Sequence, residues 1–123
     1  MSPPILYSLQ NCPYAMRARL GLLAAKQTVY LRPVALKDKP REMLKASPKG
    51  EVPVLILSDS SVIDESLDIM LWAFMQSDPS GCMYKNETHK HTEMLELIDT
   101  HDTKFRVSLE KYKRAKRYHK DDK

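Results

Sequence analysis

The stretch Ser47-Pro48-Lys49-Gly50-Glu51-Val52-Pro53-Val54-Leu55-Ile56-Leu57 decides the fold. Its first five residues have the composition of a loop. Val52-Pro53 then leads into Val54-Leu55-Ile56-Leu57, four consecutive apolar residues and the strongest strand signal in the chain. Ser58-Asp59-Ser60-Ser61 has turn chemistry and Val62-Ile63 resumes the apolar pattern, so the two runs form a hairpin. Glu65-Ser66 opens a helix through Leu67, Ile69, Met70, Trp72 and Phe74, and Ser77-Asp78-Pro79-Ser80-Gly81 ends it.

Toward the N-terminus, Ile5-Leu6-Tyr7-Ser8 reads as a short buried strand and Gln10-Asn11-Cys12 as a turn. Pro13 suits the first position of a helix. Met16, Leu20, Leu23 and Ala24 recur at helical spacing through residue 25, which predicts an inward apolar face, with Arg17 and Arg19 off it. Residues 29–34 form a second strand, and Pro33 marks it as an edge. After a polar connector, residues 41–46 form a short helix with Met43 and Leu44 inward. The order is therefore β-α-β-α-β-β-α. That order predicts an α/β domain: a mixed four-stranded sheet with helices on both faces and its first two strands parallel.

Beyond residue 87, Met94, Ile98, His101, Phe105, Leu109 and Tyr112 follow one another at steps of three or four. This predicts a long amphipathic helix over 88–118, without Pro or Gly and without a stop signal before Lys123. The division read from sequence is a domain over 1–78, a linker over 79–87 and a helical extension over 88–123.

The chain has 123 residues, 42% of them apolar, and a formal net charge of +4. Nine basic and three acidic residues fall in 104–123, against eleven and thirteen in 1–103. The basic excess belongs to the tail, where it is spread around a helix; a solvated face explains it better than nucleic acid. No apolar run reaches membrane-spanning length and no signal peptide is visible. Two cysteines make no disulfide framework, so a reducing, cytoplasmic setting is expected. His89, His91, His101 and His119 form no ligand cluster, and no metal is expected.

Three features carry chemistry. Cys12 stands where a helix begins, next to free N–H groups and the positive end of the helix dipole, both of which favour the nucleophilic thiolate. The alternative is a buried structural cysteine, but Cys12 lies in a turn, outside the helix's apolar register. Val52-Pro53 leaves the edge of a core strand open to an extended, peptide-like ligand; an ordinary trans proline starting a strand is the other reading. At Asp64-Glu65-Ser66, a hydroxyl and free N–H groups suit a carboxylate, and Glu65 suits an ammonium. Plain N-capping would also explain the triplet.

Taken in order, these motifs resemble a known family. Ile5-Leu6-Tyr7-Ser8, Cys12-Pro13-Tyr14-Ala15-Met16-Arg17, Lys39, residues 47–55 and Val62-Ile63-Asp64-Glu65-Ser66 are similar to the N-terminal thioredoxin-like domain of cytosolic glutathione transferases. The likeness covers residues 5–78 and is nearest to the cysteine-type members, omega and related bacterial glutaredoxin-like forms. It implies that Cys12 forms a mixed disulfide with glutathione, which acts as co-substrate. It further implies that Val52 pairs its backbone with the cysteinyl part beside a cis-Pro53, that Glu65 and Ser66 hold the γ-glutamyl ammonium and carboxylate, and that Lys39 reaches the glycine carboxylate. Ala15 replaces the second cysteine of a dithiol motif, so the implied chemistry is monothiol: thiol–disulfide exchange or dehydroascorbate-type reduction. Cys82 lies far along the chain in a polar loop and is a poor resolving thiol. Tyr7, whose counterpart activates glutathione in other classes, is expected to be a packing residue. The extension resembles the first helix of the family's all-helical second domain. Without the remaining helices its apolar stripe needs a partner or a second copy, as in a homodimer. The second, electrophilic or disulfide substrate is not specified. A non-catalytic regulatory or protein-binding member of the same fold is the alternative function.

Overall fold

The computed structural model describes residues 2–121, with side chains through residue 115. Tyr118 and His119 therefore lie outside the described side chains. The chain divides into two compact units, Met1–Cys82 and Met83–Lys123.

The first unit is built on four strands: β1 (Ile5–Ser8), β2 (Tyr30–Pro33), β3 (Val54–Ile56) and β4 (Val62–Ile63). Their spatial order is β2-β1-β3-β4. β1 pairs β2 in parallel, Ile5 opposite Tyr30 and Ser8 opposite Pro33. The connection is α1 (Pro13–Ala24), the helical crossover that parallel neighbours require. β3 runs antiparallel to β1, and β4 antiparallel to β3. β2 is the edge strand, which is why Pro33 costs no ladder bond on its outer side.

Side chains alternate across the sheet. Tyr7 and Val54 point to one face, where they form a core with Val34 and with Met43 of α2 (Arg41–Ala46). Leu6 and Leu55, one residue out of phase, point to the other. There α1 packs against α3 (Ser66–Gln76), burying Ala15, Ala18, Leu22, Ile69 and Ala73. The mixed four-stranded sheet with helices on both faces is therefore present as expected, and Tyr7 is a core residue, 1% exposed.

One face was misread from sequence. Met16, Leu20 and Leu23, expected to point inward, are exposed, Leu20 by 64% and Leu23 by 74%. The buried face of α1 is instead Ala15, Ala18, Gly21 and Leu22. Small residues let the α1 and α3 backbones approach closely: a Cβ at Gly21 would stand 2.7 Å from Met70 Cγ. Similarly, Leu44 is exposed while Met43 is buried in α2.

In the second unit, α4 (Thr88–Thr100) passes through one π-helical turn (His101–Phe105) into α5 (Arg106–Asp121). The single long helix is thus interrupted at its middle. Thr100 and Thr103 donate their hydroxyls to the carbonyls of Glu96 and Asp99, a back-bonding pattern that loosens the regular ladder. The His101 and Phe105 rings stack at 5.0 Å across the wide turn. Phe105, Leu109 and Tyr112 are exposed. Among the described residues, no helix is long and apolar enough to cross a membrane, and no group of three or more His, Cys, Asp or Glu could hold a metal.

Candidate active site

The sheet brings three chain segments to one end. β1 runs out at Ser8 into the turn that carries Cys12. The β1–β3 register, which pairs Tyr7 with Val54, places Pro53 and Val52 at that same end. β4, antiparallel to β3 with Ile63 opposite Leu55, delivers Asp64, Glu65 and the start of α3 there too.

Cys12 is the N-cap residue of α1, with extended backbone (φ −87°, ψ 120°). Its carbonyl accepts the first helical bond, from the Met16 amide at 2.9 Å, and its own amide donates to the Leu9 carbonyl at 3.3 Å. Its side chain makes no capping bond. The thiol is half-buried and not in a disulfide. Pro13 at the first helical position removes one amide that would otherwise lack a partner.

The turn is tied down by a residue that sequence reasoning passed over. Arg19, two turns into α1, reaches back with its guanidinium. Nη1 donates to Ser8 Oγ at 2.5 Å and to the Leu9 carbonyl at 3.0 Å, and Nη2 donates to the Gln10 carbonyl at 3.0 Å. One forked cation thus fixes three consecutive residues leading to Cys12. The only sequence signal for it is spacing: seven residues from Cys12 is two helical turns, which returns Arg19 to the same side of α1.

The second wall is the loop over 47–53. Ser47, 1% exposed at the end of α2, donates from Oγ to Asp64 Oδ2 at 2.8 Å and so joins this loop to the β4–α3 junction. Gly50 adopts φ +66°, a conformation that disfavours other residues. It also leaves room for Lys39, whose Nζ lies 3.3 Å from where a Cβ at Gly50 would stand. Lys39 is therefore beside the loop, half-buried. Val52 is half-buried against the Tyr7–Met43 core, Pro53 is buried, and the Val52–Pro53 peptide bond is cis.

The third wall is the start of α3. Glu65, not Ser66, occupies the cap position, and it makes no side-chain capping bond. Plain side-chain capping by Ser66 therefore gives way to a different arrangement. Ser66 is the first helical residue and is buried, while Ile69 donates the first helical bond to the Glu65 carbonyl at 3.0 Å. The amides of Ser66, Leu67 and Asp68 precede the helical ladder, as at any helix start. The Glu65 carboxylate is not idle. Lys49 Nζ donates to its Oε1 at 2.6 Å and lies 3.8 Å from Asp64 Oδ1. The bond that Lys49 donates to Glu65, helped by the nearby Asp64 charge and opposed by partial burial, raises the Lys49 pKa above the usual lysine value. Lys49 and Ser47 were given no role from sequence, and Asp64 was named only as part of the Asp64-Glu65-Ser66 triplet. Nothing in the local pattern singles them out, because their partners lie some sixteen residues away across the hairpin.

The site thus brings together a thiol at a helix start, the Val52-Pro53 segment leading into β3, a helix N-terminus with an adjacent carboxylate, and a lysine. Comparison with known proteins agrees with this fold. The sequence profile of the glutathione S-transferase N-terminal domain matches residues 6–81, and the chain belongs to the glutathione S-transferase family. It is similar to pyrimidodiazepine synthase of Drosophila melanogaster, 40% identical over 51% of this chain and 30% of that protein. It is also similar to glutathione S-transferase omega-2 of Rattus norvegicus, 39% identical over 50% of this chain and 25% of that one. Among solved structures, glutathione transferase Omega 2C of Trametes versicolor shares the fold with a TM-score of 0.75. It is 23% identical over 85% of this chain and 52% of that one. The chain spans a third or less of the two relatives' length and about half of the fungal structure.

Proposed function

We propose that this chain is a glutathione-dependent thiol transferase or reductase that works through Cys12 as a monothiol. The observation that carries the reading is the position of Cys12: a half-buried free thiol at the cap of α1, making no capping bond, at the sheet end where β3 and α3 also begin. Ala15 is buried where a second cysteine would resolve the disulfide internally. In the exchange, the Cys12 thiolate attacks the glutathione sulfur of a mixed disulfide. The Cys12–glutathione bond forms as the old S–S bond breaks, and the other thiol leaves and takes up a proton. A second glutathione thiolate then attacks that sulfur, giving glutathione disulfide and free Cys12.

The remaining residues bind. Val52 offers its backbone, next to Pro53, to the cysteinyl part of glutathione. Glu65 and Ser66, with the first amides of α3, take the γ-glutamyl ammonium and carboxylate, and Lys39 takes the glycine carboxylate. A tripeptide with two carboxylates and one ammonium is matched by one lysine, one helix N-terminus and one glutamate. Residues 88–123 act as the first helix of a helical second domain, and the protein works in the cytoplasm. The test is retention on immobilised glutathione: the wild-type chain is held, and Glu65→Ala plus Ser66→Ala releases it. Equal retention of both overturns the assignment.

A further inference from the structure

Glu65 is offered above as the acceptor for a ligand's ammonium, yet the chain already supplies an ammonium to it. Lys49 Nζ sits 2.6 Å from Glu65 Oε1. Its second neighbour is Asp64, 3.8 Å away, whose other oxygen is fixed by the buried Ser47 hydroxyl. The lysine therefore has a held first seat and a nearby second one. The pair is accessible: the Glu65 side chain is 66% exposed and that of Lys49 35%. An exposed pair is weak enough for a competing cation to displace.

Resting on the glutathione reading of this site, we propose that Lys49 is a selectivity-determining residue: its ammonium holds the place at Glu65 that the ligand's γ-glutamyl ammonium takes on binding. Displaced, Lys49 swings to Asp64, which Ser47 keeps in position. A ligand with an ammonium must evict the lysine, and a ligand without one leaves it in place. Lys49 thus lowers the preference for ligands that carry the ammonium below what Glu65 alone would give.

The experiment measures dissociation constants of glutathione and of its desamino analogue, glutaryl-cysteinyl-glycine, for wild type, Lys49→Gln and Lys49→Met. Taking the ratio of the two constants cancels the general attraction of Lys49 for the ligand's carboxylates, which both ligands share. The preference for glutathione should rise by about two- to fivefold in both variants, the worth of an exposed ion pair. Adding Glu65→Gln should abolish that gain. An unchanged or reduced preference in the Lys49 variants, with glutathione still bound by wild type, overturns the inference and leaves the glutathione site standing. Wild type that binds neither ligand overturns the site, and the inference with it.

Discussion

At Arg19 a single side chain ties the turn that carries Cys12 to the helix that follows it. Its guanidinium serves three acceptors on Ser8, Leu9 and Gln10. Arg19→Met leaves these acceptors without their donor and should lower unfolding free energy by about 1–3 kcal/mol, as for hydrogen bonds to charged groups. Arg19→Lys, a point charge that cannot fork, should recover only part of this in a denaturant titration. Lys49 sets a pH dependence. Its pKa is raised on folding, so its contribution is fully present below the ordinary lysine value of 10.5 and is lost as pH rises through the folded-state value. The stability difference between wild type and Lys49→Met should therefore be flat from pH 7 to 9 and shrink above about 10.5, measured by thermal melts. A difference that falls between pH 7 and 9 would refute the pairing. At this scale motif order pointed to Cys12, Lys39, Val52, Pro53, Glu65 and Ser66, which the fold gathers around one end of the sheet and whose roles are those proposed above. The sequence was silent on Arg19, Ser47 and Lys49, whose significance is a partner distant in sequence.

The elements themselves were readable almost to their boundaries. Ile5–Ser8, Arg41–Ala46 and Val62–Ile63 are found where apolar runs and turn residues placed them. The orientation of α1 was not readable. Periodicity finds the large apolar residues, whereas this interface selects small ones because two helices meet closely at Gly21 and Met70. Gly21→Ala tests that account. Helix propensity alone would reward it by about 0.8–1.0 kcal/mol, but overpacking costs about 1–3 kcal/mol. A net loss is expected. Combined with Met70→Ala, the loss should be smaller than the sum of the two single changes, since the second removes the Met70 Cγ that the first meets at 2.7 Å. Additive losses would contradict the close approach. The π-helical turn at His101–Phe105 was likewise invisible, because a stripe at steps of three or four tolerates one extra residue without a change of pattern.

On the whole molecule, the misread face of α1 has a physical consequence. Its exposed leucines and the β2 edge line an apolar groove of about 700 Å³, bordered by Leu6, Met16, Leu20, Leu23, Val29 and Leu31. Such a surface should bind an apolar fluorescent dye in the folded chain. Leu20→Gln with Leu23→Gln should cut that fluorescence severalfold with little change in melting temperature, as expected for exposed positions. Undiminished fluorescence would place the dye elsewhere. The fold class was legible because strand and helix signals alternate cleanly; the burial pattern between layers was not, because it depends on which helix lies against which.

The central claim is that Cys12, and not merely a cysteine, exchanges with glutathione. It is tested most directly by incubating the chain with glutathione disulfide and locating the adduct by peptide mass spectrometry. The account predicts one glutathione adduct, on the peptide containing Cys12, with Cys82 unmodified and no adduct in Cys12→Ser. Modification of Cys82 alone, equal modification of both cysteines, or none at all would contradict it.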